Sequence, residues 1–164
     1  MKDVLMVFTS KSLATMQQEG GSGNWAANKD RLRHAKWIVA TRNEKSNWAQ
    51  GAEAHGSAFM IGKVSGIKSA PAPEQNRFVV SFDKYADLDV PHAWTGSRNP
   101  VTYTDLATLG VDPDALEWKE FHPQHSSDGP SGPNEPALVI DRARSMIAEA
   151  FSIRPEAVKI TVAL

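Results

Sequence analysis

Short apolar runs, separated by polar stretches rich in glycine and proline, dominate the first two thirds of the chain. Four of these runs have the length and the β-branched or aromatic content of strands: residues 4–8, 37–41, 58–67 and 78–82. Gly62 and Gly66 interrupt the third run, and glycine within a strand permits a bulge or a sharp bend. The pattern therefore predicts a small, strongly curved sheet.

The polar stretches around the second run predict a helix and two loops. Residues 20–24 (GGSGN) are expected to form a flexible loop. Asn24 or Asn28 is expected to cap a short helix that ends near His34, because asparagine side chains accept hydrogen bonds from exposed helix amides. Residues 42–57 are polar and predict a long loop.

A turn rich in glycine and proline precedes the last predicted strand of the main domain, which holds Val101 and Tyr103. Thr104 or Asp105 then caps a second short helix, and Gly110 is placed to end it. Strands dominate without regular alternation of strand and helix. This order predicts an α+β fold built on a small, strongly bent β-barrel.

The last third of the chain has a different composition. Residues 122–136 contain four prolines and predict a linker or loop between a main domain, residues 1–121, and a tail, residues 137–164. In the tail, an extended segment, a helix capped by Asp141 and a strand at 158–162 are expected. One helix face carries apolar residues: Ala143, Ile147, Ala150 and Phe151. A tail this short cannot form its own core, so it should dock on the main domain or on a partner chain.

Composition and charge exclude several classes of protein. The chain has 164 residues, of which 41% are apolar and 23% charged, and it has no cysteine. No apolar run approaches the ~20 residues of a membrane helix, and the N-terminus predicts a strand rather than a signal peptide, so a cytoplasmic protein is expected. A net charge of -1 argues against bulk DNA binding. Residues 1–50, however, carry eight basic against four acidic residues, a local excess suited to phosphate.

The strand order resembles that of a known group of small barrels. The segments that carry the resemblance are WIVATRN, AFMIGKVSGI and RFVVSFDKY, with Ile61-Gly62-Lys63-Val64 followed in matching order by Asn99-Pro100-Val101. This arrangement is similar to PUA-like barrels, closest to the EVE and ASCH kind, with YTH as a more distant relative. It covers roughly residues 4–121. The resemblance implies a fold that binds nucleic acid, often RNA or a modified base at the barrel mouth, and that in most members is not catalytic.

Aromatic, amide and guanidinium groups are concentrated in the predicted loops, above all in residues 94–103 (WTGSRNPVTY). Such groups recognise planar polar ligands, including nucleobases. We therefore expect a cleft lined by seven residues: Trp25, Trp48, Trp94, Arg42, Asn43, Arg98 and Asn99. A neighbouring basic run is expected to contact phosphate: Lys29, Arg31 and Arg33. The structural alternatives are tryptophan lids over the core, asparagine turns, an Arg98 ion pair with a nearby aspartate, and a solvated helix face.

Two other functions compete with this binding module. A hydrolase acting on nucleic acid or a nucleotide would use Glu53, His55 and His92 as acid/base groups, provided that the fold brings them together. An assembly protein would add its C-terminal helix and strand to a neighbouring sheet. The sequence contains none of the common nucleophile, phosphate-loop or metalloprotease motifs, and neither a metal nor a cofactor is expected.

Overall fold

Seven strands and three short helices follow one another along the first 120 residues. The computed structural model describes residues 1–70, 76–124, 144, 146–148 and 157–159. A 3₁₀ turn at Pro113–Ala115 precedes the last strand. The strands and helices are, in chain order, β1 (Val4–Thr9), α1 (Leu13–Glu19), β2 (Ser22–Ala26), α2 (Lys29–Arg33), β3 (Trp37–Arg42), β4 (Ala58–Ser69), β5 (Arg77–Val90), β6 (Val101–Thr104), α3 (Leu106–Leu109) and β7 (Lys119–Glu120).

All seven strands belong to one mixed sheet. The order across the sheet is β2-β5-β4-β3-β1-β6, and β7 pairs with β5 outside this path. Only β1 and β3 pair in parallel, with Val4 opposite Trp37, while the other pairings are antiparallel. The sheet curls into a half-barrel with a few short helices, which confirms the predicted α+β class and its bent sheet.

The sheet bends where β4 leaves β3. Pairing between these strands ends at Lys63, opposite Trp37, while β4 continues beside β5 to Ser69. The β4–β5 register shifts on both sides of Val64, so the predicted irregularity near Gly66 is confirmed. Gly62 has a different role, because a Cβ at this position would lie 2.8 Å from Cγ of Phe82.

Side chains from the two faces of the sheet form two core clusters. On β1, Leu5 and Val7 belong to the first cluster, which also contains Met16 of α1 and Leu32 of α2. Val4 and Met6 alternate with them and belong to the second cluster. The second cluster is covered in part by two stacked, half-buried rings, Trp37 and Trp118, with centroids 5.5 Å apart.

The prediction of a flexible loop at residues 20–24 was wrong. Ser22–Ala26 forms β2, which pairs with β5 at the edge of the sheet. The glycines make this possible, because a Cβ on Gly23 would lie 2.6 Å from Cγ2 of Val79. The sequence reading also missed α1, whose N-cap is Ser12 and whose C-terminal residue in the left-handed conformation is Gly20. Glycine here serves close strand packing as well as flexibility.

The predicted caps of the other helices are largely correct. Asn28 caps α2, its Oδ1 accepting from the backbone N–H groups of Asp30 and Arg31 at 2.9 and 3.1 Å. Asp105 caps α3 by accepting from the N–H of Thr108, and Gly110 ends that helix with φ 66°. These local rules hold because each side chain satisfies helix amides that have no partner within the helix.

Residues 1–126 and 127–164 form two separate units. The predicted linker, residues 122–136, and the tail, residues 137–164, lie largely outside the described residues. Residues 144 and 146–148 are helical, within the helix predicted there, whereas residues 158 and 159 have no regular structure at the start of the predicted last strand. Among the helices that the structure describes, none is long and apolar enough to cross a membrane.

Candidate functional site

Helix α2 presents two basic side chains on one face. Arg33 follows Lys29 by four positions, so the two side chains lie on the same side of this short helix. Buried Leu32 anchors the helix in the first core cluster. Arg31 points elsewhere, and its guanidinium lies 5.7 Å from the centre of the Tyr103 ring. Two of the three residues expected to contact phosphate therefore share a surface, and Arg31 does not.

Lys29 and Arg33 line a groove between α2 and the part of β4 that extends beyond β3. We call it the α2 groove; its volume is about 440 Å³. Ser65, Ser69 and Phe78 also line it. The complete lining consists of Lys29, Leu32, Arg33, Ala35, Val64, Ser65, Gly66, Ile67, Ser69 and Phe78. The groove thus combines cationic and hydroxyl donors with an aromatic and aliphatic floor.

Charge is strongly segregated along the chain. The segments that surround the α2 groove, residues 22–40 and 58–82, carry seven basic and two acidic residues in the sequence. Residues 83–124 carry three basic and eight acidic residues. A groove lined by one sign of charge concentrates counter-ions even when the whole protein is nearly neutral. The near-zero net charge therefore does not describe the surface around α2.

Trp25 lies behind the α2 groove rather than in it. Its indole is buried in β2, and Nε1 donates a 3.0 Å hydrogen bond to Oγ of Ser22. In the sheet Trp25 is the register partner of Phe78, the ring that borders the groove. Trp25 thus supports the floor of the groove, and the prediction that it lies in a loop was wrong.

The other predicted site residues lie around the carboxyl ends of β1 and β3, away from α2 at the start of β3. Arg42 is the most buried of them, with its side chain 1% exposed. Its Nε donates to Oε2 of Glu53 at 2.8 Å, its Nη1 donates to the Lys11 carbonyl at 3.0 Å, and its guanidinium lies 4.1 Å from the centre of the Phe59 ring. A Cβ on Gly51 would collide with this guanidinium. Arg42 therefore holds the loop to the sheet rather than presenting itself to a ligand.

Asn43 and Asn99 have structural roles at this end. The Asn43 N–H donates to the Thr9 carbonyl at 2.8 Å, and the Asn43 carbonyl accepts from Oγ of Ser10. Oδ1 of Asn99 accepts a hydrogen bond from the N–H of Val101. This is the asparagine turn that the sequence offered as the alternative to ligand binding by Asn99. Arg98, next to it, is exposed. The ligand role of Arg98 stays a prediction.

The tryptophans do not converge on one cleft. Trp94 stacks on Phe8 with centroids 4.9 Å apart and planes 6° from parallel, and it packs against the second core cluster. Trp25 belongs to the first cluster, on the opposite face of the sheet. Trp48 is 55% exposed in the loop after β3. The expected cleft shared by these rings is therefore absent from the described residues, because Trp25 on β2 and Trp94 in the loop between β5 and β6 pack against different core clusters.

The acid/base groups of the hydrolase hypothesis are not assembled into a site. Glu53 is paired with Arg42, and His92 is exposed in a turn with φ 54°. His55 packs edge-on against Phe8, with centroids 5.2 Å apart. None of the contacts among the described residues joins the three groups, and these residues hold no cluster of three or more metal-ligating side chains.

The groups with a shifted pKa do not line the α2 groove. Burial raises the pKa of the Tyr103 phenol, and the charge of Arg31 opposes that rise. Hydrogen bonds from the backbone and then the hydroxyl of Thr108 lower the pKa of Asp105. A hydrogen bond to Asp87 raises the pKa of Lys119. Each shift is explained by a structural contact and identifies no acid or base for catalysis.

Sequence reasoning missed the β4 side of the groove. In the sequence, Ser65 and Phe78 were assigned only to predicted strands, Gly66 only to a bulge or bend, and Ser69 lay beyond the predicted strand 58–67. Their common location depends on the bend of β4 and on the placement of α2 beside it. Comparisons with protein-family models, with curated proteins and with solved structures find no match for this chain.

Proposed function

We propose that the half-barrel is PUA-like and binds nucleic acid, with phosphate groups held in the α2 groove. The observation that carries this proposal is the groove itself, in which Lys29 and Arg33 face the bend of β4. Lysine and arginine are the main phosphate-contacting side chains in nucleic-acid complexes, and serine hydroxyls add neutral donors. Both types of donor border this groove.

The size and lining of the groove favour a nucleotide chain over an isolated anion. A volume of about 440 Å³ far exceeds what one phosphate fills, and the apolar residues Val64, Ile67 and Phe78 are among those that line the groove. A sugar or a base can pack against such atoms, and aromatic rings bind bases with little dependence on sequence. The basic segments around the groove extend the favourable potential beyond its two cations.

One ion pair near the groove is weak enough to give way to a ligand. Nη1 of Arg33 lies 3.6 Å from Oδ1 of Asp30, and both side chains are largely exposed. Exposed pairs of this kind contribute about 0–1 kcal/mol, so a phosphate can replace the carboxylate at little cost. Lys29 and Arg33 are therefore available for binding without a large rearrangement.

The test is a titration of fluorescent single-stranded RNA and DNA hexanucleotides, followed by anisotropy at fixed ionic strength. The double variant Lys29→Ala/Arg33→Ala should bind about tenfold more weakly, as two screened contacts of ~0.7 kcal/mol each would give. Lys84→Ala is the matched control, since Lys84 forms an exposed pair with Glu120 in the acidic segment. It should bind as wild type does.

Two results would contradict the proposal. Absence of binding by the wild-type protein removes the function altogether. Equal affinities for wild type and the Lys29/Arg33 variant, together with a loss in Arg98→Ala, would move the binding surface to the exposed turn at the other end of β1.

A further inference from the structure

A second groove shares two of its lining residues, at positions 65 and 66 of β4, with the α2 groove. We call it the α1 groove; it has a volume of about 620 Å³ and runs between the C-terminal end of α1, β5 and the segment after β7. Ser65 and Gly66 line both grooves. Two hydrogen bonds fix the far wall: the Gln124 N–H donates to the Gln17 carbonyl, and the Phe121 N–H donates to the Asp83 carbonyl, both at 2.8 Å.

Neither crowding nor a left-handed backbone requires glycine at position 66, although glycine also suits the register shift between Val64 and Gly66. A Cβ at this position would meet no atom within 4 Å, whereas those of Gly21, Gly23 and Gly62 would collide with neighbouring residues. Its φ lies outside the left-handed region that glycine favours. Glycine in a strand costs stability, and one recognised reason for it is close approach of a ligand to the backbone. Gly66 is also one of the two residues that line both grooves.

The grooves differ in chemistry. The charged residues that line the α2 groove are Lys29 and Arg33, whereas the α1 groove is lined by the acidic Glu19 and Asp83, by Lys68, and by the amide side chains Gln18 and Gln124. Glu19 is engaged by Lys11 in an ion pair of 2.6 Å. Carboxylates repel phosphate, but they accept hydrogen bonds from the exocyclic amino groups of bases, and amides pair with base edges. The α1 groove is therefore suited to bases, and the α2 groove to the sugar–phosphate backbone of the nucleic acid.

We infer that the protein binds a single-stranded segment that crosses Gly66, with phosphates in the α2 groove and at least one unstacked base in the α1 groove. This inference rests on the proposed function and narrows its ligand. A duplex cannot place a base in the α1 groove, because its bases are paired inside the helix. The accepting carboxylate of Asp83 favours bases with an exocyclic amino group, which are adenine, cytosine and guanine, over uracil.

The experiment combines oligonucleotides of several lengths with substitutions that add a side chain at Gly66. Single-stranded RNA and DNA of two, four and six nucleotides, and a hexanucleotide duplex, are titrated against wild type, Gly66→Ala and Gly66→Val. Valine suits a strand, and a Cβ at this position meets no atom within 4 Å, so we expect the variant to fold. Ala115→Val, at an exposed position in the acidic segment, is the control.

Wild type should bind single-stranded hexamers more tightly than dimers or the duplex. Gly66→Val should lose at least about fivefold on hexamers, the lower end of one base contact, and little on dimers, with Gly66→Ala between. Oligo(A) and oligo(C) should exceed oligo(U) in wild type. Asp83→Asn should reduce that preference, whereas Asp89→Asn, at an exposed position further along β5, should not.

The outcomes separate this inference from the function on which it rests. If hexamers bind Gly66→Val and wild type equally well, and binding still depends on Lys29 and Arg33, the strand does not cross Gly66. The proposed function then stands. A duplex that binds as tightly as the single strand would also contradict the inference that a single strand crosses Gly66. Failure of wild type to bind any of these oligonucleotides overturns both.

Discussion

Removal of the Glu53 carboxylate should destabilise the protein far more than the loss of an ordinary surface charge. Glu53→Ala leaves the Arg42 guanidinium in place with its side chain 1% exposed and its Nε without the 2.8 Å acceptor. The hydrogen bond to the Lys11 carbonyl and the contact with the Phe59 ring remain, but neither carries a compensating negative charge. A buried cation without its partner retains its desolvation cost.

The size of this effect follows from the exposure of the two partners. Breaking a fully buried pair costs about 3–5 kcal/mol, and an exposed pair contributes about 0–1 kcal/mol. Glu53 is 41% exposed while Arg42 is buried, so solvent screens one side of the pair only. We expect a loss of about 2 kcal/mol, which lies between the two limits. With a urea m-value of about 2 kcal/mol/M, the midpoint should fall by about 1 M.

Urea unfolding followed by tryptophan fluorescence measures this directly, because all five tryptophans lie within residues 1–126. Glu120→Ala is the control, since it breaks the exposed pair with Lys84 and should change the free energy by less than about 0.5 kcal/mol. The double variant Arg42→Met/Glu53→Ala removes the unpaired charge and should be no less stable than Glu53→Ala. Equal midpoints for Glu53→Ala and Glu120→Ala would refute the structural role of Arg42.

Three further substitutions test the packing, the titration and the capping in the same assay. Tyr103→Phe removes a buried hydroxyl that has no hydrogen-bond partner among the described residues, and should leave stability unchanged or raise it by up to about 1 kcal/mol. Because the folded pKa of Tyr103 lies above its ordinary value of 10.0, wild type should lose stability as pH rises past that value, and the variant should lose less; equal losses would contradict this. Gly62→Ala places Cβ 2.8 Å from Cγ of Phe82 and should cost about 1–3 kcal/mol, whereas Gly66→Ala should cost nothing, so a reversed order would count against the packing. Asn28→Ala should cost about 1 kcal/mol, and an unchanged midpoint would show that the α2 cap is dispensable.

Local signals in the sequence identified most of the elements correctly. The β-branched runs of β1 and β3, the Asn28 and Asp105 caps and the left-handed Gly110 each depend on neighbours within a few residues. The edge strand β2 was not predictable in this way. Gly21 and Gly23 resemble a flexible linker until Val79 and Val80 of β5 are known to lie against them. Long-range packing therefore decided the conformation of that segment.

The candidate site was predictable only in part for the same reason. The basic run of α2 was visible in the sequence, but which of its residues share a groove depends on the turn of the helix and on the bend of β4. Arg42 shared the loop character of the other candidates, and its burial follows from the fold of the long loop onto β3. Trp25 on β2 and Trp94 in the loop after β5 pack against different core clusters because distant segments of the chain bring those clusters together. Side-chain type predicted the chemistry, while topology determined which groups meet.

The central claim is that Lys29 and Arg33 contact phosphate in the α2 groove, and the salt dependence of binding tests it most directly. For single strands, the slope of log K against log salt concentration is about −0.7 for each phosphate contact. The slope for a hexanucleotide should therefore differ by about 1.4 between wild type and Lys29→Ala/Arg33→Ala, with Lys84→Ala matching wild type. Parallel slopes for wild type and the double variant would contradict the claim.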